Sequence, residues 1–316
     1  MMTYKNRLIF LLSLIAILIL FFAGSFIFNV DAGNTRASSM IWLDSKLSLK
    51  ADRIAISADD RNFELVKRDS RWFVLNDEGE YPARNLRVED FLGIFTKRAP
   101  WPVRSSISSS HERFGLDTDT ADRLTIYGEN SVLLDLLAGY EDSTGQEVYV
   151  RRYAQSEVRS GDRLLKTYMT SSVSSWYNLR LIPESEDGKV SVKNVQRFSV
   201  YNGDTTLSFT RRNRGWIVSG ADIAKPDRNS IENYISIILN TEGDNFDDSV
   251  SVDAPELGKN RITVELDNGN VITIRLSEDD ENGRRYAHVF GRDYIYAIPS
   301  WASSRLFREP SSFEMQ

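Results

Sequence analysis

A chain of 316 residues that is 41% hydrophobic and 11% aromatic, with six Trp and sixteen Phe, is long enough for two domains with their own cores, and its composition argues against long disorder. The net charge of −6 opposes phosphate backbones and anionic head groups, which argues against nucleic acid as a partner. The absence of cysteine removes disulfides, thiolate nucleophiles, Cys-type zinc sites and a lipoprotein anchor.

In chain order, the first element is apolar. Leu8 to Val30 carries no charge and, at about 1.5 Å per residue, reaches roughly 35 Å, enough for a hydrocarbon core of about 30 Å. Lys5 and Arg7 precede it and Asp31 follows. The reading is an uncleaved transmembrane anchor over 8–30, with 1–7 in the cytoplasm and everything after it outside the bacterial inner membrane. A cleaved signal peptide, with Val30-Asp31-Ala32 as the processing site, is the competing reading; the apolar run is longer than such peptides need. Residues 31–50 form a polar connector in which Met40 to Leu43 either lies on the membrane or docks on the first domain.

The stretch Arg53 to Val74 then sets the organisation, because it returns without a gap as Arg197 to Val218. Ile54, Ile56, Phe63 and Leu65 match Phe198, Val200, Leu207 and Phe209, and this alternation predicts strands with one buried face. Turns are predicted at Ser57 to Asp60 and at Tyr201 to Asp204. An amphipathic helix follows in each copy, with a stripe at Val88, Phe91, Leu92 and Phe95, then at Ile231, Tyr234, Ile235 and Ile238. Asn85 is the predicted cap of the first, Asp227 or Asn229 of the second. Each copy continues through Phe114-Gly115-Leu116 or Pro255-Glu256-Leu257-Gly258 into a hairpin, turning at Gly128 to Asn130 and at Asp267 to Asn270. Further strands are predicted at Val148 to Val150 and Leu164-Leu165, and at Tyr286 to Val289 and Tyr294 to Ile298. Each copy closes on Ser-Trp, at Ser175-Trp176 and Ser300-Trp301.

This order of motifs resembles the bacterial domain of unknown function numbered 4340, over about residues 51 to 183 and 190 to 308. The resemblance implies an accessory role in the envelope beside the membrane subunits of an ABC-type transport system, of the kind associated with gliding motility. It supplies no catalytic residue. The first copy departs from the pattern through insertions at Ser105 to Ser110 and Arg151 to Arg163.

No constellation of residues points to catalysis, a cofactor or a metal. His111 beside Ser105 to Ser110 lacks the oriented base and oxyanion donors that acyl transfer needs, and His288 reads as a half-buried strand residue. Asp244, Asp247 and Asp248, and the run Glu278 to Glu281, lack calcium-loop spacing and read as solvated turns. Trp72, Trp176, Trp216 and Trp301 read as core. The candidate partner contacts are Trp101, set between prolines, and the basic cluster Arg151, Arg152, Arg159 and Arg163.

The fold class expected is α+β: two related repeat units, each a mostly antiparallel sheet with a covering helix, preceded by one transmembrane helix. The units cover 51–183 and 190–316, joined by a linker over 184–189. The function expected is a non-enzymatic, extracytoplasmic accessory or scaffold subunit whose partner is an ABC-type permease or related membrane protein. The alternatives are a binding module for cell-wall glycan or peptide, and a hydrolase.

Overall fold

A computed structural model describes residues 39–182, 190–213 and 215–315. They divide into two compact units: residues 39–77 with 85–173, and residues 78–84 with 174–315.

The first unit is built on a meander. Strands β1 (Ala51–Ala58), β2 (Arg61–Arg68) and β3 (Arg71–Asn76) pair antiparallel, and helix α1 (Asn85–Thr96) follows. After a short strand β4 (Val103–Ser105) come β5 (Asp122–Gly128), β6 (Ser131–Glu141), β7 (Glu147–Arg152) and β8 (Val158–Asp162). Their spatial order is β3-β2-β1-β5-β6-β7-β8-β4. Ile54, Ile56, Phe63, Leu65 and Val74 are buried on one face, under the Val88, Phe91, Leu92 and Phe95 stripe of α1. The tight hairpins place both turn residues at positive φ, as at Asp59 (49°) and Asp60 (60°) or Glu129 (51°) and Asn130 (61°). Such turns match the twist of the paired strands.

The second unit repeats this path. Strands β9 (Val195–Tyr201), β10 (Thr206–Arg212) and β11 (Gly215–Ser219) lead to α2 (Arg228–Leu239). The short β12 (Asn245–Phe246), then β13 (Asn260–Leu266), β14 (Val271–Leu276), β15 (Arg285–Val289) and β16 (Ile295–Ile298), complete the order β11-β10-β9-β13-β14-β15-β16-β12. Position for position, that is the order of the eight strands named for the first unit, although the first sheet has nine strands in all and the second eight. A register shift also falls at matching sites, between Ala51 and Arg53 in β1 and between Val195 and Arg197 in β9. Asp227 caps α2 by accepting from the N–H groups of Asn229 and Ser230.

The fold class needs one correction. The described chain is mostly antiparallel sheet, and among the described residues no helix is long and apolar enough to cross a membrane, so the preceding transmembrane helix is removed from it. The expected span 8–30 and the linker 184–189 lie outside the described residues.

Smaller differences have local causes. Leu164-Leu165, expected as a strand, opens a helix, Leu164–Met169, whose first N–H donates to Asp162 Oδ1 at 2.8 Å; the strand is β8, inside what reads as an insertion. Asn85 does not cap its helix, because its side chain accepts from the Trp72 N–H at 2.9 Å. Met40 to Leu43 docks on the first unit: Ser39–Met40 pairs with Ala99–Pro100, and the N–H groups of Trp42 and Leu43 both donate to Phe95 O at 3.0 Å. In the second unit Leu179 to Ile182 fills the matching place, with Leu181 donating to Thr241 O and Gly243 to Leu179 O.

Candidate functional site

Alternation leaves one face of each sheet without a covering helix, and in the first unit that face forms an open trough of about 640 Å³. Its floor is Ala55, Ser57 and Thr125, small residues on the adjacent strands β1 and β5. Arg123, Tyr127, Glu64 and Asp77 also line it, and across the ladder Ser57 faces Arg123 while Arg53, outside the lining, faces Tyr127.

Both guanidinium groups are held twice. Arg53 lies 3.8 Å from the centroid of the Tyr127 ring and donates through Nη1 to Glu64 Oε1 at 3.1 Å. Arg123 lies 4.0 Å from the Tyr153 ring and binds Asp135 in a fork, Nε to Oδ1 at 3.1 Å and Nη2 to Oδ2 at 2.8 Å. The Asp135 contact comes first among the causes that raise the Arg123 pKa. Thr125 Oγ1 donates to the same Asp135 Oδ1 at 3.3 Å. A stacked, forked guanidinium has lost most of its rotamer freedom before any ligand arrives, and that preorganisation favours recognition. Arg53 and Arg123 keep 41% and 42% of their side-chain surface exposed, and neither Arg53 Nη2 nor Arg123 Nη1 has a partner among the described residues.

None of the candidate partner contacts read from the sequence lines this trough. Trp101 is corrected from partner contact to core: it is 2% exposed, meets Trp42 edge-on at 5.2 Å and packs so closely on Gly161 that a Cβ there would lie 1.9 Å from the ring. Arg151 is corrected likewise. It is 4% exposed and donates to the carbonyls of Leu116, Arg152, Tyr153 and Gln155, with its pKa lowered by burial. Arg152 donates to Trp42 O, Arg159 to Trp101 O and Glu157, and Arg163 to Gly145 O, so the basic cluster ties loops of its own unit together. Trp72, Trp176 and Trp216 are core, but Trp301 is 62% exposed, with Arg305 over its ring.

His111 contacts Ser156 O through Nε2, while Ser110 and Ser105 bond to each other. His288 is buried. Its Nδ1 accepts from Arg275, and its Nε2–H donates to Arg292 O. The acidic runs are turns: Asp244 binds Arg284, Asp247 accepts from Ser249, and Asp280 accepts from the N–H groups of Asn282 and Arg284. Among the described residues no group of three or more His or acidic side chains could hold a metal. The trough residues were readable only as the polar half of an alternation, at 55 and 57 and at 123, 125 and 127. That pattern marks solvent as readily as a ligand.

A family model described as "Domain of unknown function (DUF4340)" matches residues 72–252, more than half of the chain, running from Trp72 in β3 past β12 to Val252. No curated protein matches. Among solved structures, a thioesterase-like protein from Clostridium sporogenes aligns at 16% identity with a TM-score of 0.21, over 37% of this chain and 94% of that one.

Proposed function

This chain belongs to the DUF4340 family, and from that premise we propose that it is a non-enzymatic accessory or scaffold subunit of a bacterial envelope assembly, of the ABC-type transport or gliding-associated kind that the family resemblance implies. It acts through protein contacts. The observation that carries this reading is the trough of the first sheet: open, and lined by Arg123, fixed against a tyrosine ring and a carboxylate, and by Tyr127, whose ring is covered by Arg53. Such a surface suits an extended piece of another protein better than a small substrate, which needs enclosure. Both histidines are engaged by backbone carbonyls or arginine, an arrangement that favours structural roles for them.

The cell-wall glycan reading gains nothing from Trp101, which is core, and the Tyr127 and Tyr153 rings already carry a guanidinium on one face. The test uses the absence of native cysteine. A photo-crosslinker attached at Asn62→Cys, on the exposed rim of the trough, is expected to join the full chain in cells to a membrane subunit of an ABC-type assembly. Capture no stronger than from Asp204→Cys, in the second unit, would count against the reading.

A further inference from the structure

We infer that Asn202, in the turn between β9 and β10, is a site of spontaneous main-chain modification: the Gly203 nitrogen displaces its side-chain amide, and the turn passes through a succinimide to aspartate and isoaspartate. The chemistry needs no reagent but water.

The chain has three Asn-Gly pairs, Asn202-Gly203, Asn268-Gly269 and Asn282-Gly283, all in the second unit and all with the glycine at positive φ (92°, 83° and 72°). Glycine carries no side chain to shield its own nitrogen. In the reaction that nitrogen gives up its proton to water and attacks the asparagine Cγ. An N–C bond forms, the Cγ–Nδ2 bond breaks and ammonia leaves; water then opens the ring at either carbonyl. The three pairs differ in whether the nitrogen is free. Gly269 N donates to Leu266 O at 3.0 Å and Gly283 N donates to Asp280 O at 2.9 Å. An amide so bonded yields its proton only after the bond opens. Among the described residues, the Gly203 N–H has no partner. The carbon under attack is also prepared at this pair. Asn202 Oδ1 accepts from the Thr205 N–H at 3.1 Å and from Thr205 Oγ1 at 3.0 Å, two donors aimed at the oxygen that becomes negative as the nitrogen adds. Asn268 Oδ1 accepts from the Asn270 N–H at 3.0 Å. Residues 202–206 are exposed, so water reaches the turn from solvent. The isoaspartate product routes the main chain through the former side chain, which adds a methylene to the turn that sets the β9–β10 register.

The test is peptide-mapping mass spectrometry of the full, folded chain held at mildly alkaline pH, with isoaspartate marked by an isoaspartyl methyltransferase. Asn202 is expected to convert about fivefold faster than Asn268 or Asn282. In urea, where the turns are lost, the three should convert at like rates. Thr205→Val removes one of the two donors to Asn202 Oδ1 and should slow Asn202 about threefold while leaving the other two unchanged. Asn268 or Asn282 converting as fast as Asn202 in the folded chain would overturn the inference, and so would an Asn202 that does not convert. A lead of the same size for Asn202 in urea would overturn it as well, because the preference would then belong to the neighbouring residues and not to the fold. The comparison among the three sites uses the unaltered chain and holds whether or not the variant folds.

Discussion

The two sheets share a strand order and a buried face, yet their open faces have gone different ways. Residues of the first face at Glu64, Tyr127 and Asp135 are replaced in register by Ser208, Glu265 and Thr273 in the second, while the arginines and the threonine at the centre, Thr125 and Thr263, stay. The scaffold is thus specified by residues that face the helix, and the open face is free to acquire a task. A duplicated domain separates these two requirements in one molecule, because whatever both copies keep on the buried side answers to packing alone.

The largest expected effects test the half of the comparison that is shared. Phe95 and Ile238 occupy the same turn of the covering helix and are fully or almost fully buried. Phe95→Ala should cost about 3–5 kcal/mol and Ile238→Ala about 2–5 kcal/mol in denaturant unfolding. A cost near zero at either site would mean that the two cores are not equivalent. Next, Gly161→Ala should destabilise the first unit by about 1–3 kcal/mol, because the added methyl would enter the Trp101 ring and overpack the core. A smaller effect is expected from rebuilding the first face as the second, with Glu64→Ser, Tyr127→Glu and Asp135→Thr combined. All three side chains are on the solvent side, so the change in unfolding free energy should stay within about 1 kcal/mol. A loss of several kcal/mol on the exchange would break the comparison.

How much of this was legible beforehand follows from the same division. The helix stripes, the hairpins and the duplication are written in apolar periodicity, and each of Val88, Phe91, Leu92, Phe95, Ile231, Tyr234, Ile235 and Ile238 is buried as that period requires. Trp101 and Arg151 are buried for a reason that sequence hides. Arg151 and Arg159 look like a basic patch, but they are donors that satisfy loop carbonyls in space, and no spacing rule reports a partner that comes from Leu116 or Trp101. Trp101 between two prolines likewise reads as exposed until Gly161 and Trp42 close over it. The trough itself depends on pairing between strands some seventy residues apart, which alternation along one strand does not reveal.

The smallest effects are in pH. Asp142 accepts from the N–H groups of Gln146 and Glu147 and from Thr144 Oγ1, and these bonds, the Glu147 amide foremost, hold its pKa at about 2, below the ordinary 3.8. Its contribution is present above 3.8 and disappears as pH falls through about 2, which a carboxyl chemical-shift titration will follow. Asp122 runs the opposite way. Burial raises its pKa despite Lys166, so its contribution is complete below 3.8 and is lost as pH rises through the raised value. An Asp122 titration below that of Asp142 would reverse both assignments.

Residues 176 to 182 are bonded on one side to Pro82 and Arg84 and on the other to Thr241 and Gly243. Among the described residues this segment carries only single bridges, at Tyr177 and Arg180, and it belongs to the second unit together with residues 78–84. A gene fragment that begins at residue 174 therefore omits residues 78–84 and leaves the Trp176 carbonyl and the Asn178 N–H without these bonds.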